Sequence, residues 1–393
     1  MRVALIIECV EPWRGGAETS TAQFARRAVE LGCQVTLLTT TRGEAPPGVG
    51  VRTVPAGSPI RARRTALFVR RAAEEVRCGE YDVVHAVTPC PIAHLYEPRG
   101  GAVPETLRRN LALRRSVLGR TVRRISERLN MKYRVLLRLE RRLVHREPPP
   151  IVIALSRYVA EQFRRYYGLG EPQVRTIFNG VEPDRADPAE RDADNDLIRR
   201  QYDLAPHESL VLCVAHNFRL KGVRPLVEAV ALVPPERRRR MRVIIVGRDN
   251  PIPFVRLARR LGVEDRIVFA GSSDRICAFY HAADMLVHPT YYDPCSRVVL
   301  EALTAGVPVI TTRYNGAAEA MTDGREGFVL DSPDDVAGLA DRMVRLLDDS
   351  VRARCAAAAR RAGARVGMDR HAEEVVAVYR EICEARSCRA SRR

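Results

Sequence analysis

Lysine is almost missing from this chain: of 65 Lys and Arg residues, only Lys132 and Lys221 are lysines. Such one-sided usage suggests a GC-rich genome, so part of the net charge of +17 reflects codon bias. The remainder implies an anionic partner: nucleic acid, acidic lipid or a phosphorylated substrate. The ten cysteines contain no CxxC pair, which excludes the usual zinc-ligand spacing and a thioredoxin-like motif and points to a reducing cytoplasmic setting. No apolar run approaches the roughly 20 residues that span a bilayer, so any membrane contact is expected to be peripheral. The first apolar run is short, is followed by Glu8 and a Gly-Gly turn, and reads as a first strand, not a signal peptide.

What is present is length and apolar content. With 393 residues, 46% of them hydrophobic, the chain can form two cored domains. Strands are predicted at 2–7, 34–39, 83–86 and 151–155, alternating with helices at 17–31, 63–76 and 157–167, a doubly wound pattern. The polar stretch 182–195 reads as a linker. A second α/β series follows, with strands at 210–215, 242–246, 267–270, 285–287, 307–311 and 327–330. The expected organisation is an N-terminal Rossmann-like domain over 1–182, a linker over 183–207, a second such domain over 208–367 and a C-terminal helix over 368–393.

The segment from His288 to Glu319 is the most informative. Pro289, Pro294 and Ser296 break the chain after a strand, and a helix is predicted from Arg297 to Ala305 with Ser296 as its N-cap. Backbone N–H groups near Ser296, Arg297 and Val298 then suit a pyrophosphate. Glu301, about one turn further in, suits a ribose diol, and Asp293 lies on the preceding loop. Asn315-Gly316 reads as a second helix start, with Glu319 in its first turn. Lys221, a compact ammonium after a strand and before Gly222, is a candidate for offsetting phosphate charge, with Arg219 and Asn217 beside it. Gly15 and Gly16, after the first strand, allow close backbone approach. Arg99-Gly100-Gly101 is a similar loop and a candidate wall for an acceptor. His85 reads either as a site residue or as a satisfied core histidine. Asp192-Ala193-Asp194 has the form of a DxD metal motif but falls in the linker, where no strand end holds both carboxylates on one ion.

This segment resembles the retaining glycosyltransferases of family 4, which carry Glu, seven residues, Glu at this position; here Asp293 stands for the first Glu. Other blocks agree in order: Gly15 to Glu18, Asp82 to His85, Phe178 to Val181, Lys221-Gly222, Val246-Gly247, Ala283-Asp284, Asp323-Gly324 and Gly327-Phe328. Within the family the likeness is to the lipopolysaccharide core glucosyltransferases. The resemblance implies the GT-B fold, with two Rossmann-like domains facing a central cleft. It also implies transfer of a hexose, with glucose favoured, from a UDP-sugar to a cell-envelope glycan or glycolipid with retained configuration. The donor is a substrate, so no cofactor and no metal are expected. On the same resemblance Lys221 and Arg219 stabilise the leaving diphosphate, His85 lies beside the donor sugar, and Asp293 positions sugar hydroxyls while the leaving phosphate takes the acceptor proton.

The other unusual stretch is 108–146, with fourteen Lys and Arg against Glu127 and Glu140. Its apolar residues recur at helical spacing, which makes it either a solvated face or a docking helix for an anionic membrane, with Arg114, Arg115, Arg123 and Arg124 as docking candidates. Tyr133 is its one aromatic residue, so it has no stacking platform and nucleic acid is not an expected partner. The expected location is cytoplasmic, peripheral on the inner face of the membrane. Two alternatives stay open: a nucleotide-sugar epimerase on the same fold, and a non-enzymatic binder of anionic lipid or nucleic acid.

Overall fold

The computed structural model describes residues 1–10, 15–41, 46–113 and 130–390. The chain forms two compact units, 1–180 with 368–393, and 181–367.

Unit 1 is a seven-stranded parallel sheet in the order β3-β2-β1-β4-β5-β6-β7. Its strands are β1 (Arg2–Ile6), β2 (Gln34–Thr39), β3 (Gly50–Thr53), β4 (Val83–Ala86), β5 (Leu95–Tyr96), β6 (Ile151–Ala154) and β7 (Val174–Thr176). The strands β3, β5 and β7 were not predicted: β5 and β7 have only two and three residues, and β3, GVRT, is largely exposed and has no apolar run. Both faces of the sheet are covered, as a parallel sheet requires. One face packs under Phe68, Tyr96 and Phe163. The other packs under Phe24 and the helix Met368–Ala390, which contributes Met368, Val375, Val376 and Tyr379.

Unit 2 is a six-stranded parallel sheet in the order β10-β9-β8-β11-β12-β13. Its strands are β8 (Ser209–Val214), β9 (Met241–Val246), β10 (Ile267–Gly271), β11 (Met285–His288), β12 (Val309–Thr312) and β13 (Gly327–Leu330). All six residues of β8 are buried, which explains the unbroken apolar run from Leu210 to Val214. In each sheet the strand order reverses once, between β1 and β4 and between β8 and β11. In open parallel sheets ligands bind at the carboxyl ends of the strands beside such a reversal.

The linker expected over 183–207 is not one. Residues Pro188–Gln201 form a helix whose start is a full capping box: Glu190 N–H donates to Asp187 Oδ1 at 2.9 Å and Asp187 N–H to Glu190 Oε2 at 3.2 Å. It buries only Ile198, so its sequence lacks the apolar stripe that would have shown it. The helix belongs to unit 2 and packs on the helix Ile276–Ala282, where His281 Nδ1 and Asp194 Oδ2 are 2.7 Å apart. Asp192 is exposed, and two positions apart on a helix the carboxylates of a DxD point in different directions. Among the described residues no helix is long and apolar enough to cross a membrane. The docking candidates Arg114, Arg115, Arg123 and Arg124 lie outside the described residues.

Candidate functional site

The reversal in unit 2 brings the loop after β8 against the loop after β11. Thr290 Oγ1 and Tyr291 N–H both donate to the Leu220 carbonyl, at 3.0 and 2.9 Å. Gly222 has φ of 78°, and a Cβ there would stand 2.0 Å from the Pro289 carbonyl oxygen, so only glycine lets the loops meet this closely. The consequence is an ion pair: Lys221 Nζ lies 2.5 Å from Asp293 Oδ2, with side chains 20% and 13% exposed. The predicted lysine and the predicted aspartate are thus brought together. Asn217 shapes the turn before Lys221: its carbonyl accepts from Lys221 N–H at 2.9 Å and its Oδ1 from Leu220 N–H at 3.1 Å. Both Asn217 and Arg219 are exposed.

Asp293 is fixed from the backbone as well. Its N–H donates to the Tyr314 carbonyl and its carbonyl accepts from Gly316 N–H, both at 2.9 Å. Asn315 then ties this loop to the next helix, its Oδ1 accepting from Ser296 N–H at 3.1 Å. The helix Arg297–Ala305 begins as predicted, with Ser296 at the N-cap position. The Ser296 hydroxyl makes no capping bond, so it does not compete for the N–H groups of Arg297 and Val298. On that helix Glu301 Oε1 accepts from Arg297 Nη2 at 3.0 Å, and Oε2 from the Tyr280 hydroxyl at 3.0 Å. The second helix start predicted at Asn315-Gly316 is a five-residue 3-10 turn, Gly316–Ala320, too short to build a macrodipole.

Four groups at this site, His288, His216, Arg248 and Tyr280, were not singled out from the sequence. His288, at the end of β11, is buried, and its Nε2 lies 3.9 Å from Asp293 Oδ2. Burial, followed by the charge of Lys221, pushes its imidazole down to about 3, so it is neutral and leaves Asp293 to the lysine. His216, after β8, is likewise lowered by partial burial and by the charges of Arg248 and Lys221, which marks Arg248 as a further cation here. Tyr280 also becomes visible only in the structure, since it comes from a different helix than Glu301.

The reversal in unit 1 opens a cavity of about 770 Å³. Glu8 and Thr88, at the carboxyl ends of β1 and β4, line it, as do Glu18, Gly100, Gly101 and Lys132. Gly15 and Gly16 start the helix Gly16–Glu30, whose Ala17 and Glu18 reach the cavity. Behind the wall lies Glu140, fully buried, accepting from the Tyr96 hydroxyl at 2.8 Å, from Val103 N–H at 2.9 Å and from the Tyr167 hydroxyl. Burial pushes its carboxyl up to about 7 against the pull of these donors.

Two predicted site residues are corrected. His85 has no exposed surface: its Nδ1 is 2.6 Å from the Tyr379 hydroxyl and its Nε2 3.1 Å from Glu97. It is the core histidine of the alternative reading, sealed by the C-terminal helix, and not a group beside a donor sugar. Arg99 is no acceptor wall either. Its side chain is 2% exposed and pairs with Glu97 at 3.0 Å while donating to Ser20. Arg99 also holds the Glu97 carboxyl well below its usual value against the opposing effect of burial. Gly100 and Gly101 do line the cavity; Arg99 anchors their loop from behind.

Two wholly parallel, helix-flanked sheets, each with a polar site at its strand reversal, define the GT-B class of glycosyltransferase. Residues 14–185 match the family described as Glycosyltransferase Family 4, and residues 194–362 match Glycosyl transferases group 1. The chain belongs to these glycosyltransferases. It is 30% identical to the lipopolysaccharide glucosyltransferase WaaG of Escherichia coli over 52% of this chain and 55% of that one. It is 29% identical to a D-inositol 3-phosphate glycosyltransferase of Nocardiopsis dassonvillei over 95% and 91%. The chain spans about half the length of the first curated relatives it matches, 55% and 49%. In structure it resembles WaaG with a TM-score of 0.82 at 24% identity, over 96% and 99% of the two chains. It resembles Anabaena HepE, solved with UDP-glucose, at 0.71 and 22% identity, over 99% and 100%.

Proposed function

We propose that this protein transfers a hexose, with glucose favoured, from a UDP-sugar to a cell-envelope glycan or glycolipid, with retention and without a metal. The observation that carries this reading is the Lys221–Asp293 pair beside the start of the helix Arg297–Ala305. The ammonium of Lys221 and the N–H groups near Ser296 to Val298 supply positive potential for a diphosphate whose charge grows as the sugar departs. Arg219 and Arg248 add cations on the same strand ends. Asp293 uses Oδ2 for Lys221 and Oδ1 for Cys295 N–H at 3.2 Å, which leaves lone pairs for sugar hydroxyls. Glu301 has the same spare capacity for a ribose diol. Among the described residues no cluster of three or more His, Cys, Asp or Glu could hold a metal ion. The leaving phosphate, held this way, takes the acceptor proton. The cavity beside Gly100 and Gly101 is the acceptor side.

The names of the relatives support a glucose donor and an envelope acceptor: one is a lipopolysaccharide glucosyltransferase, and HepE is a UDP-glucose complex. We place the enzyme in the cytoplasm, peripheral on the inner face of the membrane through the basic stretch 108–146. The test of the donor reading is thermal stabilisation by a panel of nucleotide sugars, followed by turnover of UDP-glucose in EDTA. UDP-glucose is expected to stabilise by mass action and turnover to persist. Loss of turnover that manganese restores overturns the metal-free mechanism, and epimer formation from donor alone overturns the transfer. For the membrane reading, neutralising Arg114, Arg115, Arg123 and Arg124 is expected to weaken binding to anionic vesicles and leave turnover of a soluble acceptor unchanged.

A further inference from the structure

The carboxyl ends of the unit 2 strands hold the donor-side groups, and the opposite edge of the same sheet carries a different surface. There the helix Val223–Leu232 ends, Arg237 to Arg240 lead into β9, and the helix Ile252–Arg260 turns at Leu261 towards β10. Because β9 and β10 run parallel with Ile267 opposite Val243, both lead-ins arrive at one edge. Two bonds fix the arginine run in place: Arg238 Nη1 donates to the Ala231 carbonyl at 3.1 Å, and Ser209 N–H to the Arg240 carbonyl at 2.8 Å.

Arg237, Arg239, Arg240, Arg259 and Arg260 are all exposed at this edge. Among the described residues no ion pair joins them to a carboxylate. The exposed acids nearby are Glu236, Glu264 and Asp265, and Asp265 is already taken by Arg266 at 2.8 Å. Beside the arginines stand Leu232 and Leu261, 57% and 38% exposed.

We propose that this amino-terminal edge of the unit 2 sheet docks on an anionic lipid surface, its guanidinium groups on headgroup phosphates and the two leucines in the interfacial layer. The planar fork of arginine matches phosphate, and unpaired arginines give up no internal ion pair on binding. The exposed leucines decide between polyanions, because a lipid interface buries apolar surface and a nucleic-acid backbone does not. None of residues 232–240 or 259–266 is aromatic, so bases have nothing to stack on. This surface is separate in the sequence from the stretch 108–146.

The test is co-sedimentation of the full chain with phosphatidylglycerol–phosphatidylcholine vesicles and with pure phosphatidylcholine vesicles. The parent carries Arg114, Arg115, Arg123 and Arg124 as glutamine, so that the other basic stretch does not mask the result. This parent is expected to bind the anionic vesicles, to release as salt rises, and to ignore neutral ones. R237Q/R239Q/R240Q in that parent is expected to weaken partitioning about fivefold per arginine, ~100-fold in all. L232S/L261S is expected to weaken it further, while UDP binding stays unchanged in every variant as a check of folding. Partitioning unaffected by the triple substitution, a parent that binds no vesicle, or binding to a homopolymeric RNA alone overturns the proposal.

Discussion

Replacing Glu301 by glutamine tests the donor site at the point where the structure makes the sharpest demand. Each carboxylate oxygen already accepts one protein hydrogen bond, from Arg297 at 3.0 Å and from Tyr280 at 3.0 Å. A carboxylate offers about four acceptor positions, so two remain for a ribose diol. In the glutamine variant the amide oxygen must face Arg297, which can only donate, and the amide NH₂ then faces Tyr280, whose hydroxyl can rotate to accept. The fold is retained, but one acceptor and the charge are lost at the diol. A hydrogen bond to a charged group contributes roughly 1.5–3 kcal/mol, so UDP binding should weaken by a factor of roughly 10 to 150. Titration calorimetry with UDP and with 2′-deoxy-UDP separates this from general damage. The unaltered protein should discriminate strongly between the two ligands, and the variant should discriminate much less. Equal UDP affinity before and after substitution would falsify the ribose assignment.

Asp293→Asn should lower turnover more than UDP affinity, as measured by steady-state rates against titration, because this carboxylate is assigned to the sugar; an equal fall in both moves it off the sugar. Lys221→Ala should lower kcat by about 100-fold or more, the scale of removing a preorganised group from developing charge, and a small effect transfers that role to Arg219 or Arg248. Two buried groups give opposite pH trends. With Glu140 raised to about 7, the folded state holds its proton more tightly than the unfolded chain, so this group's stability contribution is present below about 4.5 and lost as pH rises through 7. The Tm of Glu140→Gln relative to the unaltered protein should therefore rise between about pH 5 and pH 8, and a flat difference contradicts the shift. With His288 lowered to about 3, its contribution is present above about 6.5 and lost as pH falls towards 3, so His288→Asn should flatten the acid limb of the Tm profile.

The alternation of buried strands and helices, the glycine-led turns and the helix Arg297–Ala305 were legible in the sequence because each is a local property of contiguous residues. So were Lys221, Asp293 and Glu301, whose residue types and spacing along the chain limit what they can do. Which groups meet was decided by the tertiary structure. Lys221 and Asp293 are 72 positions apart, and they pair because the sheet order reverses between β8 and β11 and Gly222 admits the Pro289 carbonyl. The same cause explains what the sequence misplaced. His85 and Arg99 sit in segments that end polar, like site residues, yet a helix from the far end of the chain closes over His85, and Glu97 and Ser20 draw Arg99 inward. A carboxylate such as Glu140 is read from the sequence as one acid in a basic stretch. Only its enclosure by Tyr96, Tyr167 and Val103 turns it into a buried acceptor, because desolvation depends on what surrounds a group in space and not on its neighbours along the chain.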